Sequence, residues 1–275
     1  MRVLDVARKS VPHSPPLTPP PLRPSTHAHL DGSTGAALAF IATLLDLSPT
    51  PKPRDYTICS GARCTPGVAA LSVAVQAGGL ASEFVESLSS GDEVTVSVRP
   101  SAFSALASRA SHEHKPVVMV AAGTGIAPFR GVLQDGVVPA QTACVFGCRS
   151  ADHVLYETEL REHVRAGRLR SLDLAISAKG DAMQPLELEP RVHLHQAAHV
   201  QDVMSGHHSA GLNRDELFRL LEREGASVWV CGPRQLGEAV EGAIERCARG
   251  MMPHQRVQWL QRLREEGRIV SELWG

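Results

Sequence analysis

The sequence predicts an α/β protein: a doubly wound parallel sheet, preceded by a smaller antiparallel β region about half the size a closed barrel needs. Three observations predict it. Beyond His114, short apolar runs alternate with longer helical segments, the grammar of a parallel sheet covered on both faces. The first of those runs ends in Gly123-Thr124-Gly125 and then Pro128, a strand turning sharply into a helix. Before His114 the grammar differs, and residues 93–99 alternate through Val94, Val96 and Val98 as a half-buried strand does.

In chain order, residues 1–34 are proline-rich, with Pro15-Pro16 and Pro19-Pro20-Pro21, and are expected to be disordered or extended. Apolar spacing over 35–47 predicts a short helix, stopped by Pro49, Pro51 and Pro53. Residues 35–110 then hold three expected strands, 55–60, 68–76 and 93–99, with a short helix at 82–88. The domain boundary is expected near 101–115. From 111 to 275, buried parallel strands are expected at 117–121, 143–146, 172–176 and 228–230, within a five-stranded sheet. Helices are expected at 156–165, 215–223 (with Asn213 as N-cap) and 236–248.

Composition excludes several function classes. The formal net charge is −1, from 28 basic and 29 acidic side chains, so there is no electrostatic footprint for nucleic acid. The longest apolar run, 36–47, is too short to span a bilayer and contains Asp46. The N-terminal segment MRVLDVARKS lacks the apolar core of a signal peptide, so a soluble, cytoplasmic chain is expected. Six cysteines form no metal-binding spacing and are read as reduced thiols. His193, His195, His199, His207 and His208 are read as polar loop residues, with no metal.

The segment 117–130, VVMVAAGTGIAPFR, carries the chemistry. Glycines let a backbone approach a pyrophosphate, and the helix that follows offers free N–H groups and the positive end of its dipole. It is neither a Walker loop nor an ordinary GxGxxG, because proline stands at the third glycine. On its own, GxG is better read as a tight strand-to-helix turn than as a nucleotide site.

The longer string GTGIAPFRG resembles the nicotinamide-binding motif of the ferredoxin-NADP reductase superfamily. More narrowly, it resembles that of the diflavin reductases, the NADPH–haemoprotein reductases and the reductase halves of fungal fatty-acid hydroxylases. Three further segments are similar to that family's, in its order. They are Phe146-Gly147-Cys148-Arg149 with Leu155-Tyr156 and Glu159-Leu160, Val230-Cys231-Gly232-Pro233, and Trp259-Leu260 through Gly267-Arg268 to Glu272-Leu273-Trp274. Upstream, Pro53-Arg54-Asp55-Tyr56-Thr57-Ile58 resembles its PRxYSI segment and Gly79-Leu80-Ala81-Ser82 its GVAS turn.

The resemblance implies an NADP-binding domain over 111–275 and a partial FAD-binding FR-type barrel over 35–110. It implies hydride transfer from NADPH to FAD, with electrons passed to a separate haemoprotein or FMN acceptor. Arg54 would hold flavin phosphate, Tyr56 would stack on the ring, and Gly79, Leu80, Ala81 and Ser82 would receive the FAD pyrophosphate. Gly123, Thr124, Gly125 and Arg149 would bind the nicotinamide nucleotide. Cys231 would sit beside nicotinamide C4, with Thr57 and Glu272 shaping transfer and Trp274 covering the flavin.

For the 2′-phosphate the family uses Ser-Arg and then Lys-x-Tyr-x-Gln. Here Ser177 is kept and Ala178 replaces the arginine, leaving Lys179 and Arg191 as candidate cations. The family's earlier barrel strands and its FMN domain have no counterpart here, so a truncated reductase is expected. Two other readings stay open: a catalytically impaired nucleotide-binding remnant, and a single-flavin ferredoxin-type reductase.

Overall fold

The computed structural model describes residues 32–47, 53–139, 141–178, 189–208 and 211–275. Of the lead-in expected to be disordered or extended at 1–34, residues 1–31 lie outside them, and 32–34 are instead helical, forming the first residues of the helix that follows. Among the described residues, 32–47 and 53–55 belong to one compact unit and those from 56 to 275 to another. Within the former, the expected helix at 35–47 is present as α1 (Gly32–Leu47).

The larger unit is built on six parallel strands, one more than expected. β1 (Val117–Ala122), β2 (Ala143–Cys148), β3 (Ser171–Ile176), β4 (Val192–Gln196), β5 (Ser227–Pro233) and β6 (Ile269–Trp274) lie in the order β4-β3-β2-β1-β5-β6. Alternation along each strand divides the core between the two faces, because successive side chains point to opposite sides. Val118, Val120, Val228 and Val230 bury one face with Val203, Leu217, Val240 and Leu260. Val117, Met119, Trp229 and Cys231 bury the other with Phe103, Phe129, Leu133 and Leu160.

The helices of the first face are α6 (Val200–Ser205), α7 (Arg214–Arg223), α8 (Arg234–Cys247) and α9 (Pro253–Glu265). Asn213 caps α7 as expected, its side chain accepting from Glu216 N–H at 3.0 Å. The other face carries α3 (Ala102–Glu113), α4 (Ala127–Gln134) and α5 (Glu157–Arg165). The stretch 101–115, read as a boundary, is thus largely helix α3. Its Phe103 lies 5.9 Å from the Trp229 ring and 5.3 Å from that of Phe129, which roots it in the core.

Two readings are corrected here. His193 and His195 are not loop residues: they lie on β4, and His195 Nε2 is 3.0 Å from the fully buried Asp173 carboxylate. That carboxylate also accepts from Leu212 N–H and Ser171 Oγ, so β4 owes its polar residues to a buried acceptor on the neighbouring strand.

The second correction concerns the expected barrel strands. Among the described residues, 55–60, 68–76 and 93–99 make only one antiparallel bridge, Ile58 to Leu71. Cys59 N–H donates to Ala70 O at 2.8 Å beside it. Val94, Val96 and Val98 are exposed. Alternation specifies a strand only when a neighbour takes its N–H groups and covers its apolar face. No described strand lies beside 93–99. The helix expected at 82–88 is present as α2 (Leu80–Ser87).

Candidate functional site

The site forms at the C-terminal edge of the sheet, where β1 stops and α4 begins. Gly123 has φ of +55°, which turns the chain out of β1 at no steric cost. A short 3₁₀ turn, Gly123–Ile126, leads into α4, whose second residue is Pro128. Gly125 is the tightest point. A β-carbon there would lie 2.0 Å from the Cys231 carbonyl oxygen and 3.2 Å from Gly232 Cα. Only glycine lets the turn after β1 abut the C-terminal end of β5. The sequence pattern thus has a packing reason as well as a ligand-binding one.

Cys231 is 1% exposed. Burial, and then the Glu272 carboxylate, push its thiol up to about 12, so it carries its proton at neutral pH. Glu272 is its register partner on β6. The carboxylate also accepts from Ser101 Oγ at 2.6 Å and from Ala102 N–H at 2.9 Å. Those bonds tie β6 to the first turn of α3, where a carboxylate complements the dipole. Trp274 ends β6 opposite Pro233 and is 44% exposed, an uncovered indole on the same edge. Cys231, Glu272, Trp274 and the Gly123–Gly125 turn are therefore brought together by β1, β5 and β6.

The phosphate side is only partly assembled. Ser177 follows β3, and its N–H donates to Cys148 O at 3.0 Å. Ala178 N–H donates to Arg149 O at 2.9 Å, which sets Arg149 and its exposed side chain beside Ser177. Lys179 lies outside the described residues. Arg191 is not at this edge. Its carbonyl accepts from Leu172 N–H near the start of β3, and its guanidinium donates to Val164 O at 2.8 Å. Five residues of β3 separate that level from Ser177, about 16 Å at strand rise. The shared phosphate site expected of Ser177 and Arg191 is not formed, because β4 runs parallel and begins at the opposite edge.

On the flavin side, Gly79 opens α2, and a β-carbon there would meet Ser82 Oγ at 2.7 Å and Gln76 O at 3.0 Å. Ser82 Oγ accepts from Gln76 N–H at 3.1 Å, which closes the turn. Leu80 is 83% exposed and Ala81 half-buried, so the first helical turn is open. Such a cradle fits a pyrophosphate. Glu83 is the exception: its carboxylate accepts from Gly78 N–H at 2.6 Å and holds one of the turn's amides. Tyr56 and Thr57 are half-buried. Arg54 belongs to the unit that holds α1.

Comparison with known proteins follows the same outline. Residues 119–242 match the oxidoreductase NAD-binding domain family. An NADPH–cytochrome P450 reductase of Dictyostelium discoideum is 30% identical over 255 residues, covering 86% of this chain and 35% of its own length. The bifunctional cytochrome P450/NADPH–P450 reductase 1 of Bacillus subtilis is 28% identical over 252 residues, covering 84% and 22%. The chain is homologous to the NADPH–cytochrome P450 reductases. It spans about a third or less of the length of these relatives. The ferredoxin-NADP⁺ reductase of Plasmodium falciparum shares its fold, with a TM-score of 0.55 over 80% of this chain and 77% of that one, at 15% identity.

In this reductase homologue one group of site-adjacent residues escaped sequence reasoning. Arg130, Gln134 and Asp135 follow the glycine turn, and Tyr156 and Glu159 open α5; all belong to quoted motifs or lie just beyond them, but none has an evident role from its spacing. Together they grip the segment after Thr57. The signal was present in Arg130 and Gln134, polar residues at i and i+4 on a helix whose Phe129 and Leu133 face the core.

Proposed function

We propose that this chain is the nucleotide-oxidising part of an NADPH-dependent flavin reductase that hands electrons to a haemoprotein or an FMN protein. The observation that carries the reading is the meeting of the Gly123–Gly125 turn with Cys231, next to Glu272 and Trp274 at one strand edge. FAD, when bound, would supply the acceptor for the hydride of the nicotinamide. The chain's own residues bind, orient and exclude water. Gly123–Gly125 offer backbone N–H groups and space to the pyrophosphate. The neutral Cys231 thiol lines the nicotinamide position without placing a charge there. Glu272 is anchored on Ser101 and Ala102 rather than free, so it sets the shape of this edge through β6. Tyr56, Thr57, Gly79–Ser82 and the Trp274 indole would hold the flavin, with Trp274 giving way to nicotinamide.

For the 2′-phosphate, the residues that support binding here are Ser177, Arg149 and Lys179, with Ala178 lowering the preference for NADPH over NADH. Among the described residues no helix is long and apolar enough to cross a membrane, and a cytoplasmic reductase fits that. The test is the visible spectrum of the purified chain with FAD, followed by anaerobic addition of NADPH. Bleaching of the flavin band and reduction of cytochrome c bear the reading out; a bound flavin that NADPH leaves oxidised overturns it. A second reading, a nucleotide-binding module without stable flavin, is favoured by Glu83 on the Gly78 amide and by the sparse pairing of 56–100. Binding of 2′,5′-ADP without retention of FAD would establish it.

A further inference from the structure

Helix α4 starts at the nucleotide turn, and its outer face is bonded to the segment that carries Thr57. Arg130 donates from Nε to Glu159 at 2.8 Å and from Nη1 to the Cys59 carbonyl at 3.0 Å. Its guanidinium lies over the Tyr156 ring, 4.4 Å from the centroid. The Tyr156 hydroxyl is 2.5 Å from Ser72 Oγ and 3.5 Å from Cys59 Sγ. Gln134 donates to the other Glu159 oxygen at 2.8 Å and accepts from Gly61 N–H at 2.8 Å. Asp135 accepts from the N–H groups of Ala62, Arg63 and Cys64 at 3.0, 2.9 and 3.3 Å. Even the helix backbone is close, since a β-carbon on Gly131 would come within 3.2 Å of Ser60 O. This bonded stretch begins two residues beyond Thr57.

We infer that Arg130, Tyr156 and Glu159 are positioning residues for hydride transfer, clasping the Tyr56–Ser72 segment to the helix that follows the nucleotide turn. The inference rests on the reductase reading above and goes beyond it by assigning who sets the donor–acceptor distance. Three arguments support it. The contacts are polar and half-buried, whereas the same helix is seated on the sheet by Phe129 and Leu133, so the sheet does not depend on the clasp. Arg130 serves three partners at once, through Nε, Nη1 and its flat face, which a lysine does not reproduce. Hydride transfer is also steep in distance, and a displacement of about 1 Å costs on the order of a hundredfold in rate.

The test uses the full chain saturated with FAD. Anaerobic stopped-flow reduction by NADPH, and by NADPH deuterated at nicotinamide C4, gives the hydride-transfer rate and its isotope effect. Calorimetry with 2′,5′-ADP gives nucleotide affinity independently. Arg130→Ala is expected to slow hydride transfer by roughly ten- to a hundredfold with 2′,5′-ADP affinity changed by less than about twofold. Arg130→Lys should recover only part of the rate, and Tyr156→Phe, which keeps the ring beneath Arg130, should lose less. In the flavin-free chain, Asp135→Ala should speed amide exchange at Ala62–Cys64 while β1 stays protected. Where Arg130→Ala does not fold, Glu159→Gln and Tyr156→Phe read the same rates. A hydride rate within about twofold of the parent, or one that falls in proportion to 2′,5′-ADP affinity, overturns the inference. A parent chain that NADPH does not reduce sinks the reductase reading instead.

Discussion

Residues 117–274 and residues 56–100 both carry stretches expected to be strands, and the two sets meet opposite fates. In the former, Val117, Val118, Met119, Val120 and Ala121 are all fully buried, because β2 and β5 flank β1 and helices cover both faces. In the latter, Val94, Val96 and Val98 stand exposed, and a single bridge joins Ile58 to Leu71. The difference teaches that apolar alternation is a conditional instruction. It yields a strand where neighbours exist to accept it, and otherwise leaves the backbone in irregular structure held by side chains such as Asp135.

Four measurements break or sharpen this contrast. The largest effect is expected in amide exchange. β1 amides should exchange only through global unfolding, and those of 93–99 orders of magnitude faster. Adding FAD should slow exchange at 79–82, where the open turn lies. Equal protection of the two regions would abolish the distinction.

Next is the contrast between two glycines. Gly125→Ala drives a β-carbon into the Cys231 backbone at 2.0 Å, so the turn must move. A loss of about 3 kcal/mol and of 2′,5′-ADP binding is expected. Gly67, with φ of +75° and nothing within 4 Å of its β-carbon position, should cost only ~1–2 kcal/mol when changed to Ala. Denaturant melts of both variants check this.

The third effect is about tenfold. Removing the exposed indole with Trp274→Ala should raise kcat/KM for NADH relative to NADPH by that factor, ~1.4 kcal/mol. On the proposal that Ala178 weakens the phosphate side, the shift should be larger still. An unchanged ratio would make Trp274 a simple terminal anchor.

The smallest effect is on stability against pH. Burial, and then Arg168, hold His163 below its ordinary value of 6.5. The unfolded chain therefore binds more protons than the folded one on the acid side. The contribution of His163 is complete above that ordinary value and is lost as pH falls from it toward the folded-state value. His193 behaves alike, so one substitution removes part of the dependence. The melting temperature should fall less on acidification in His163→Gln than in the parent.

Much of the sheet was legible because its strands announce themselves in Val, Ile and Leu. β6 was not: in IVSELW the residues are only partly buried, and Glu272 is kept by Ser101, a partner 171 positions away. β4 was hidden by His193 and His195, polar residues made strand-compatible by Asp173 on the next strand. At the site, the glycine turn was legible because its residues are consecutive, whereas Cys231 was singled out only by the resemblance of Val230-Cys231-Gly232-Pro233 to a family motif. The displacement of Arg191 was not, since it follows from the direction in which β4 is laid down. The clasp was invisible for the same reason, each of its bonds joining residues far apart in sequence.

Helix α4 also acts as a ruler. Its eight residues span about 12 Å, with the Gly123–Gly125 turn leading into one end and the Gln134–Asp135 grip at the other. One residue inserted between them would swing the grip about 100° around the axis, and the turn would keep its shape while the far end lost its partners. Residues 136–139, beyond the grip, bear no such phase relation. Length changes should therefore be accepted beyond Asp135 and rejected between Pro128 and Gln134.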